Sequence, residues 1–240
     1  MNFFKRKQKQ IDLSNLPNHT AFIIDGNGRW AKKRGLPRTL GHKQGVKAVK
    51  QTIQNCYDLG IKIISFFCFS TENWNRPKDE IDALFDMLND FLVEDISIYK
   101  NKGIKFIVSG DITKLPINLQ NGIINAINET QSCNKMLVNL CINYGGQSEI
   151  LQVVNTLIKQ GKSTITKQDF ECELFKNNLA PIDLVVRTSG EERISNFMLW
   201  QLAYAELYFT KTYWPDFNSA ELEKAIVNFQ SRTRRFGAIK

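Results

Sequence analysis

The sequence has few cysteines and histidines, and their positions suit neither disulfide bonds nor a zinc site. It contains five cysteines and two histidines among 240 residues. An odd number of cysteines leaves one unpaired, and no two of them have Cys-x-x-Cys spacing. The two histidines, His19 and His42, lie far apart in the chain. We therefore exclude a disulfide framework and a zinc centre.

Long apolar runs are absent as well. The most apolar stretch, 61–69, contains Lys62 and Ser65 and is far shorter than the roughly 20 residues that span a bilayer. Residues 1–10 include two phenylalanines and four basic residues, but neither the apolar core nor the small-residue cleavage site of a secretory signal. We therefore expect a cytoplasmic protein.

Length and composition predict one compact domain. Apolar residues make up 42% of the chain and charged residues 23%, which excludes an intrinsically disordered protein. We assign residues 1–17 to a basic arm that we expect to be flexible, and residues 18–240 to the domain.

Charge is unevenly distributed along the chain. The net charge is +8, from 32 Lys and Arg against 24 Asp and Glu, which admits nucleic acid, anionic lipid or a phosphorylated substrate as partner. Basic residues concentrate in 5–9, 29–50 and 232–240, whereas 79–95 holds seven acids. A uniformly basic binding face is therefore not expected.

Short β-branched and aromatic runs alternate with longer amphipathic segments, a pattern typical of βαβ units around a mainly parallel sheet. The predicted fold class is therefore α/β. Strands are predicted at 21–24, 61–69, 104–108, 137–142, 184–186 and 207–209. Helices are predicted at 43–59, 79–100, 119–130, 148–159, 167–177 and 220–229.

The first predicted strand leads directly into Asp25-Gly26-Asn27-Gly28-Arg29-Trp30-Ala31. Open α/β sheets bind ligands at the carboxyl ends of their strands. Glycines let backbone N–H groups approach an anion, a guanidinium pairs with phosphate oxygens, and a carboxylate can hold a divalent cation. We interpret this segment as a flexible loop that binds a diphosphate with Mg²⁺.

The same segment also fits the G-x-G-x-x-A form of the dinucleotide-binding fingerprint. Arg29 and Trp30 are bulky where that cofactor needs a close approach, and the next strand ends more than forty residues on. The fingerprint requires an acidic residue about twenty residues further on, so we reject this alternative.

Two further polar segments precede predicted helices. Arg38 and His42 lie near the start of helix 43–59, where phosphate is attracted, although a solvated basic face explains them equally well. The segment Phe69-Ser70-Thr71-Glu72-Asn73-Trp74-Asn75-Arg76-Pro77 follows the second strand and is dense in polar and aromatic groups. Turn chemistry explains Pro77 but not the rest.

A third polar segment, 187–197, follows the fifth predicted strand. Arg187, Arg193 and Ser195 can form a second diphosphate site, because a guanidinium pairs well with phosphate oxygens. Glu206 lies in apolar surroundings and needs a partner. Residue chemistry alone favours an arginine over a metal ion for it.

These segments together resemble the cis-prenyltransferases, the family of undecaprenyl diphosphate synthase, from about position 19 to position 237. The resemblance is carried by six collinear motifs: the run 25–31, Gly41-His42, the run 69–77, Asn143-Tyr144-Gly145-Gly146, the run 187–197 and Trp214-Pro215-Asp216-Phe217. It implies a homodimeric, Mg²⁺-dependent enzyme whose parallel sheet and helices enclose an apolar product tunnel.

The resemblance implies repeated condensation of isopentenyl diphosphate with an allylic diphosphate, usually farnesyl diphosphate. The product is a long Z-polyprenyl diphosphate such as undecaprenyl diphosphate, the lipid carrier for cell-wall polysaccharide. No nucleic-acid partner is implied. A non-catalytic partner subunit is the alternative, but such a chain would lack Asp25 or the loop arginines, which are present here.

The resemblance also assigns roles to residues. Asp25 binds metal and diphosphate, Trp30 lies beside the allylic chain, and Glu206 is a metal ligand contributed across the dimer. The allylic diphosphate is held by Gly26, Asn27, Gly28, Arg29, Arg38 and His42, and isopentenyl diphosphate by Arg187, Arg193, Ile194 and Ser195. Both substrates are organised by Ser70, Thr71, Glu72, Asn73, Trp74 and Arg76.

Asn73 corresponds to a proposed proton acceptor. Because a carboxamide is a very weak base, we expect it to orient a diphosphate oxygen or a water molecule instead. Phe85, Phe91 and Cys68 are candidates for the tunnel wall, with core packing as the alternative. Ile24 and Gln147 depart from the family pattern without removing a catalytic group.

The two chain ends carry further expectations. The tail Arg235-Phe236-Gly237 resembles an ending that completes the neighbouring active site. The basic N-terminal arm suits transient contact with an anionic membrane surface.

Overall fold

The computed structural model describes residues 11–234, so residues 1–10 of the predicted arm and the tail 235–237 lie outside the described residues. The strands are β1 (His19–Ile23), β2 (Ile63–Ser70), β3 (Ile104–Ser109), β4 (Met136–Tyr144), β5 (Leu184–Arg187) and β6 (Glu206–Phe209). They form one sheet in the order β3-β4-β2-β1-β5-β6, and every pairing is parallel. The predicted α/β class is confirmed.

Eight α-helices surround this sheet within residues 11–234. They are α1 (Asn27–Lys33), α2 (Arg38–Leu59), α3 (Lys78–Glu94), α4 (Ile96–Asn101), α5 (Ile117–Thr130), α6 (Gly146–Lys159), α7 (Lys167–Leu174) and α8 (Ser219–Gln230). Short 3₁₀ turns occur at Thr71–Asn75, Ile112–Lys114 and Trp214–Asp216. None of the helices in this part of the chain combines the length and the apolar character that crossing a bilayer requires.

Two predictions of local structure were wrong. The segment after Asp25 is helix α1 and not a loop, because Gly26 adopts a left-handed conformation (φ 106°) that lets the helix begin directly after the strand. The predicted helix 79–100 is broken at Asp95, which ends α3 and begins α4. The break lets Phe91 and Tyr99 both pack on Phe106 of β3, with ring centroids 6.1 and 5.2 Å away.

Both faces of the sheet are buried, as expected for parallel strands covered on two sides. On one face Phe22 stacks on Phe66 at 5.2 Å, and Trp214 and Phe217 pack against this pair. On the other face Ala21, Ile23 and their neighbours pack against residues 175–205. The sheet is therefore a rigid platform whose register places Ile23 opposite Arg187 at the carboxyl edge.

A buried polar network joins β1, β2 and β4 near the other end of the sheet. The His19 ring lies 2.7 Å from the carbonyl oxygen of Ala180 through Nδ1 and 2.8 Å from Ser65 Oγ through Nε2. Asn139 Nδ2 donates to the same hydroxyl at 3.2 Å. Burial lowers the pKa of His19 to about 4, while the Ala180 hydrogen bond and the Asp183 carboxylate oppose the shift.

We expect His19 to make the fold less stable in acid. An unfolded histidine titrates near pH 6.5 and the folded one near 4, so the unfolded state binds more protons between these values. The contribution of His19 to the free energy of unfolding falls by about 3 kcal/mol as pH drops through this window. Urea unfolding at several pH values should show a weaker acid dependence for His19→Gln than for wild type. Identical pH dependence in the two proteins would contradict this expectation.

Candidate active site

A cavity of about 850 Å³ opens at the carboxyl edge of the sheet, between the ends of β1, β2 and β5 and helices α1 to α3. Its polar part is lined by twelve residues that the sequence analysis singled out: Asp25, Gly26, Asn27, Gly28, Arg29, Arg38, His42, Ser70, Asn73, Arg76, Arg187 and Ser195. Its apolar part is lined by Val46, Val49, Cys68, Leu84, Met87, Leu88, Phe91 and Leu140. The cavity thus joins an anion-binding end to a hydrocarbon-lined space.

Asp25 stands at the centre of the polar part. Its Oδ2 lies 3.1 Å from Arg29 Nη2 and 3.1 Å from Arg187 Nη2. Its backbone oxygen accepts hydrogen bonds from Thr188 Oγ1 at 2.7 Å and from the Trp214 N–H at 3.1 Å. The carboxylate is therefore held in place from both its side chain and its backbone.

Arg187 is almost fully buried and is fixed by the loop that follows β5. Its Nη1 donates to Ser195 Oγ at 2.8 Å and to the carbonyl oxygen of Arg193. Burial lowers the pKa of the Arg187 guanidinium, and the pairing with Asp25 opposes that effect. Its Nε is buried without a hydrogen-bond partner, so this side chain still lacks an acceptor.

The loop 188–198 has an unusual backbone. Ser189, Ser195, Asn196 and Met198 all have positive φ, at 82°, 49°, 63° and 38°. Such conformations are costly for residues other than glycine and concentrate at functional sites. Asn196 also fixes the loop to its neighbours, because its side chain accepts from the Gln147 N–H at 2.9 Å and donates to Glu72 at 3.2 Å.

Glu191 links two of the arginines from this loop. It pairs with Arg193 Nη1 at 2.5 Å and with Arg29 Nη1 at 2.6 Å. Hydrogen bonds from Arg193 and then Arg29 lower the pKa of Glu191. Arg193 itself does not line the cavity.

Sequence reasoning missed Glu80, which it counted only as part of the acidic run 79–95. This buried carboxylate contacts three cavity residues through one oxygen, Oε1. Arg38 Nη2 lies at 3.3 Å, His42 Nε2 at 3.2 Å and Arg76 Nη1 at 3.2 Å. The four-residue spacing of Arg76 and Glu80 was the signal available in the sequence.

Asn73 lines the cavity from the turn that follows β2. Its Oδ1 accepts the Ser70 backbone N–H at 3.2 Å, and the Ser70 side chain accepts from the Asn73 backbone in return. This reciprocal pair is a capping box, which fixes the side chain. The capping contact uses one lone pair of the amide oxygen, and the amide NH₂ group is the donor that Asn73 can offer to a ligand.

Several predicted site residues lie outside the cavity lining: Trp30, Thr71, Glu72, Trp74, Arg193, Ile194 and Glu206. The Trp30 indole N–H donates to Asp216 at 2.7 Å and its ring is stacked under Arg34. The Trp74 indole N–H donates to Asn143 at 2.8 Å. Both indoles therefore hold the walls of the site together.

Glu206 is expected to act as a metal ligand across the dimer, and within its own chain it lies apart from Asp25. Glu206 lies opposite Leu184, which lies opposite Thr20. It is therefore about 10 Å along the strand direction from Ile23, the last residue of β1, and Asp25 lies beyond that strand end. Glu206 pairs instead with Arg232 at 2.6 Å, the kind of partner that residue chemistry favoured.

Asp25 is the side chain in the cavity best suited to Mg²⁺. Among residues 11–234, no three His, Cys, Asp or Glu side chains are grouped as metal ligands. Both guanidinium contacts of Asp25 involve Oδ2, which leaves Oδ1 available. Mg²⁺ commonly binds one or two carboxylates together with substrate phosphates and water, so this donor set fits the ion only when a diphosphate is bound beside it.

Two of the three residues predicted for the tunnel wall line the apolar part of the cavity, and the third does not. Cys68 and Phe91 line it, whereas Phe85 is buried against Phe69 and Trp74 at 5.0 and 5.5 Å. Burial raises the pKa of the Cys68 thiol to about 12, so it is an uncharged part of the wall. Phe85 is therefore a core residue that does not line the cavity.

Known proteins match almost the whole chain. Residues 23–237 match the family model described as "Putative undecaprenyl diphosphate synthase". An isoprenyl transferase of Fusobacterium nucleatum is 47% identical over 227 residues, which are 94% of this chain and 98% of that protein. The ditrans,polycis-undecaprenyl-diphosphate synthase of Pasteurella multocida, specific for (2E,6E)-farnesyl diphosphate, is 43% identical over 95% of this chain and 98% of its own.

The fold is shared with solved structures. The lavandulyl diphosphate synthase of Lavandula x intermedia, crystallised with dimethylallyl diphosphate, superposes with a TM-score of 0.88 at 36% identity, covering 92% of this chain and 98% of that one. The chain therefore belongs to the undecaprenyl diphosphate synthase family of cis-prenyltransferases, and the resemblance in the motifs is confirmed. As a member it is a transferase of prenyl groups.

Gly41→Ala is expected to disrupt the site. A Cβ at position 41 would lie 2.1 Å from the Asn27 carbonyl oxygen, and backbone atoms cannot move aside as a flexible side chain can. Helix α1 would shift away from α2, at a cost of about 1–3 kcal/mol, and would displace the residues that follow Asp25. Urea unfolding and prenyl-transfer assays measure both effects. Exposed Lys43→Ala is the matched control and should change stability by less than about 0.5 kcal/mol; a Gly41→Ala protein equal to it would refute the packing argument.

Proposed function

We propose that the protein elongates farnesyl diphosphate by repeated condensation with isopentenyl diphosphate. The product is a long-chain Z-polyprenyl diphosphate such as undecaprenyl diphosphate, a lipid carrier for cell-wall polysaccharide. The observation that carries this proposal is the continuity of the arginine-rich end of the cavity with its apolar part. The printed specificity of the Pasteurella multocida relative supports the choice of starter.

The two diphosphates are assigned to two arginine sets. Arg29, Arg38 and Arg76, with the first backbone N–H groups of α1, receive the allylic diphosphate. Arg187 and Ser195 receive isopentenyl diphosphate, and the unpartnered Nε of Arg187 gains an acceptor in that complex. Arg193 joins them if a diphosphate displaces it from Glu191.

In the reaction, the allylic C–O bond breaks and the diphosphate leaves with both bonding electrons. The isopentenyl double bond attacks the allylic carbon, and a proton is then lost from the isopentenyl unit. The arginines stabilise the charge that develops on the leaving diphosphate. When bound, Mg²⁺ held by Asp25 would add charge neutralisation to the same diphosphate. The new product is again an allylic diphosphate, so the cycle repeats while its chain extends along the apolar wall.

Asn73 is assigned as a hydrogen-bond donor to a diphosphate oxygen. Its amide oxygen already accepts from Ser70, and an amide nitrogen has no basic lone pair for a proton. A diphosphate oxygen is the better acceptor for the proton that the isopentenyl unit loses.

The assembly and location are also part of the proposal. A homodimer is supported by Leu151 and Ile158 on α6, which are 62% and 55% exposed. In it, Glu206 and the tail 235–237 would act across the subunit boundary. We place the enzyme in the cytoplasm, where the basic arm makes transient contact with the membrane that receives the product.

Product analysis tests the proposed function directly. Purified protein, farnesyl diphosphate and labelled isopentenyl diphosphate should give long polyprenyl diphosphates, and chelation of Mg²⁺ should abolish their formation. Chromatography by chain length provides the measurement. Chain growth that persists in excess chelator would refute the metal requirement, and no incorporation with several allylic starters would refute the transferase assignment for this chain alone.

Replacement of Asn73 distinguishes a donor from a base. Asn73→Asp keeps the oxygen that caps Ser70 but exchanges the NH₂ donor for a charged oxygen that repels diphosphate. We expect kcat/KM to fall about 10²-fold or more, at least as far as in Asn73→Ala. Steady-state kinetics of both variants provide the comparison. If Asn73 were the base, the aspartate variant would instead retain far more activity than the alanine variant.

A further inference from the structure

Glu80 is buried although its sequence neighbour Asp79, in the same first turn of α3, is exposed. Burying a carboxylate is costly unless cationic or hydrogen-bonding partners compensate. Its partners come from two separate segments, Arg38 and His42 on the first turns of α2 and Arg76 directly after the 3₁₀ turn 71–75. One oxygen atom therefore joins the two segments that border the polar end of the cavity.

The three partners line the cavity and Glu80 does not. A guanidinium has five N–H donors, so the single contact of each arginine with Glu80 leaves donors free for a ligand. Without an anchor, the Arg38 side chain, which is 62% exposed, would be free to sample many rotamers. The contact with Glu80 restricts that freedom before a ligand arrives.

His42 is held by the same oxygen. Because a carboxylate only accepts hydrogen bonds, His42 Nε2 carries the proton in this contact. Burial lowers the pKa of His42, Glu80 opposes that effect, and Arg76 and Arg38 reinforce it. The charge of Glu80 thus acts directly on the pKa of His42, which can be measured separately from the arginines.

We propose that Glu80 is a positioning residue that orients Arg38, His42 and Arg76 for the allylic diphosphate. It acts from behind the cavity wall and does not touch the substrate. The inference rests on the proposed function for the identity of the ligand, but the contacts of Glu80 exist in the free protein.

The first test observes those contacts without substrate. The chain has two histidines, so NMR titration can follow both ring signals separately. Glu80→Gln keeps the shape of the side chain and removes its charge, and the His42 titration should move down by about half a pH unit or more. Asp79→Asn, a charge removal on the adjacent exposed residue, should leave it unchanged. The His19 signal reports that each variant is folded.

The second test separates positioning from a merely structural role. In Glu80→Gln the two arginines must be ordered by the substrate itself, so the KM for the allylic starter should rise about tenfold. The KM for isopentenyl diphosphate should change less than about twofold, because Arg187 and Ser195 do not contact Glu80. Asp79→Asn should match wild type in both constants.

The outcomes are distinct. Equal rises in both KM values, or the same effects in Asp79→Asn, would overturn the proposal, as would an unchanged or upward-shifted His42 titration. If no starter is elongated by the wild-type protein, the proposed function fails. Calorimetry with inorganic pyrophosphate then replaces the kinetics: about tenfold weaker binding by Glu80→Gln than by Asp79→Asn supports the positioning role, and equal binding rejects it.

Discussion

The polar end of the cavity depends on the ion pair between Asp25 and Arg187. Arg187 is 4% exposed, and a guanidinium that deep in the protein requires an anionic partner. Asp25 supplies it from the neighbouring strand end, because β1 and β5 are adjacent and parallel with Ile23 opposite Arg187. Their contact brings the two predicted diphosphate sites side by side, as the proposed condensation of two diphosphate substrates requires.

The other charges extend from this pair in a pattern of shared anions. Asp25 is shared by Arg29 and Arg187, and Glu191 by Arg29 and Arg193. Glu80 is shared in the same way by Arg38 and Arg76. Three carboxylates thus order five arginines and leave an excess of positive charge. The arginines are held in place by these contacts, yet the cavity still attracts an anion.

Helical periodicity connects the charged and apolar parts of the cavity. Along α2, Arg38, His42, Val46 and Val49 line it at successive spacings of four, four and three residues, which place them on one face together with Gly45. The polar residues come first and the apolar ones follow, so one helix lines both the charged part and the apolar part of the cavity. Gly41 and Gly45 on the same helix permit the close contact with Asn27 that positions α1.

Much of the architecture was available from local sequence. Alternating apolar runs predicted the α/β class, and polar segments at strand ends predicted residues that meet in one cavity, as Asp25, Asn73 and Arg187 do. These predictions worked because a parallel sheet brings all its carboxyl ends to one edge whatever the details of packing. Helix α1 was predicted as a loop because two glycines and a polar run are typical of loops. In the structure, packing against α2 stabilises a helix at this position.

The amino-acid sequence by itself therefore determined the fold class and which residues could carry chemistry. The fold class follows from the periodicity of apolar residues, and the chemistry follows from side-chain type. Tertiary structure alone decided which of those residues meet. It buried Glu80 against two arginines and a histidine, and it packed Phe85 against Phe69 and Trp74. It also paired the Trp30 indole with Asp216 and Glu206 with Arg232. The physical reason is that pairing and burial depend on distances between segments far apart in sequence, which no local pattern records.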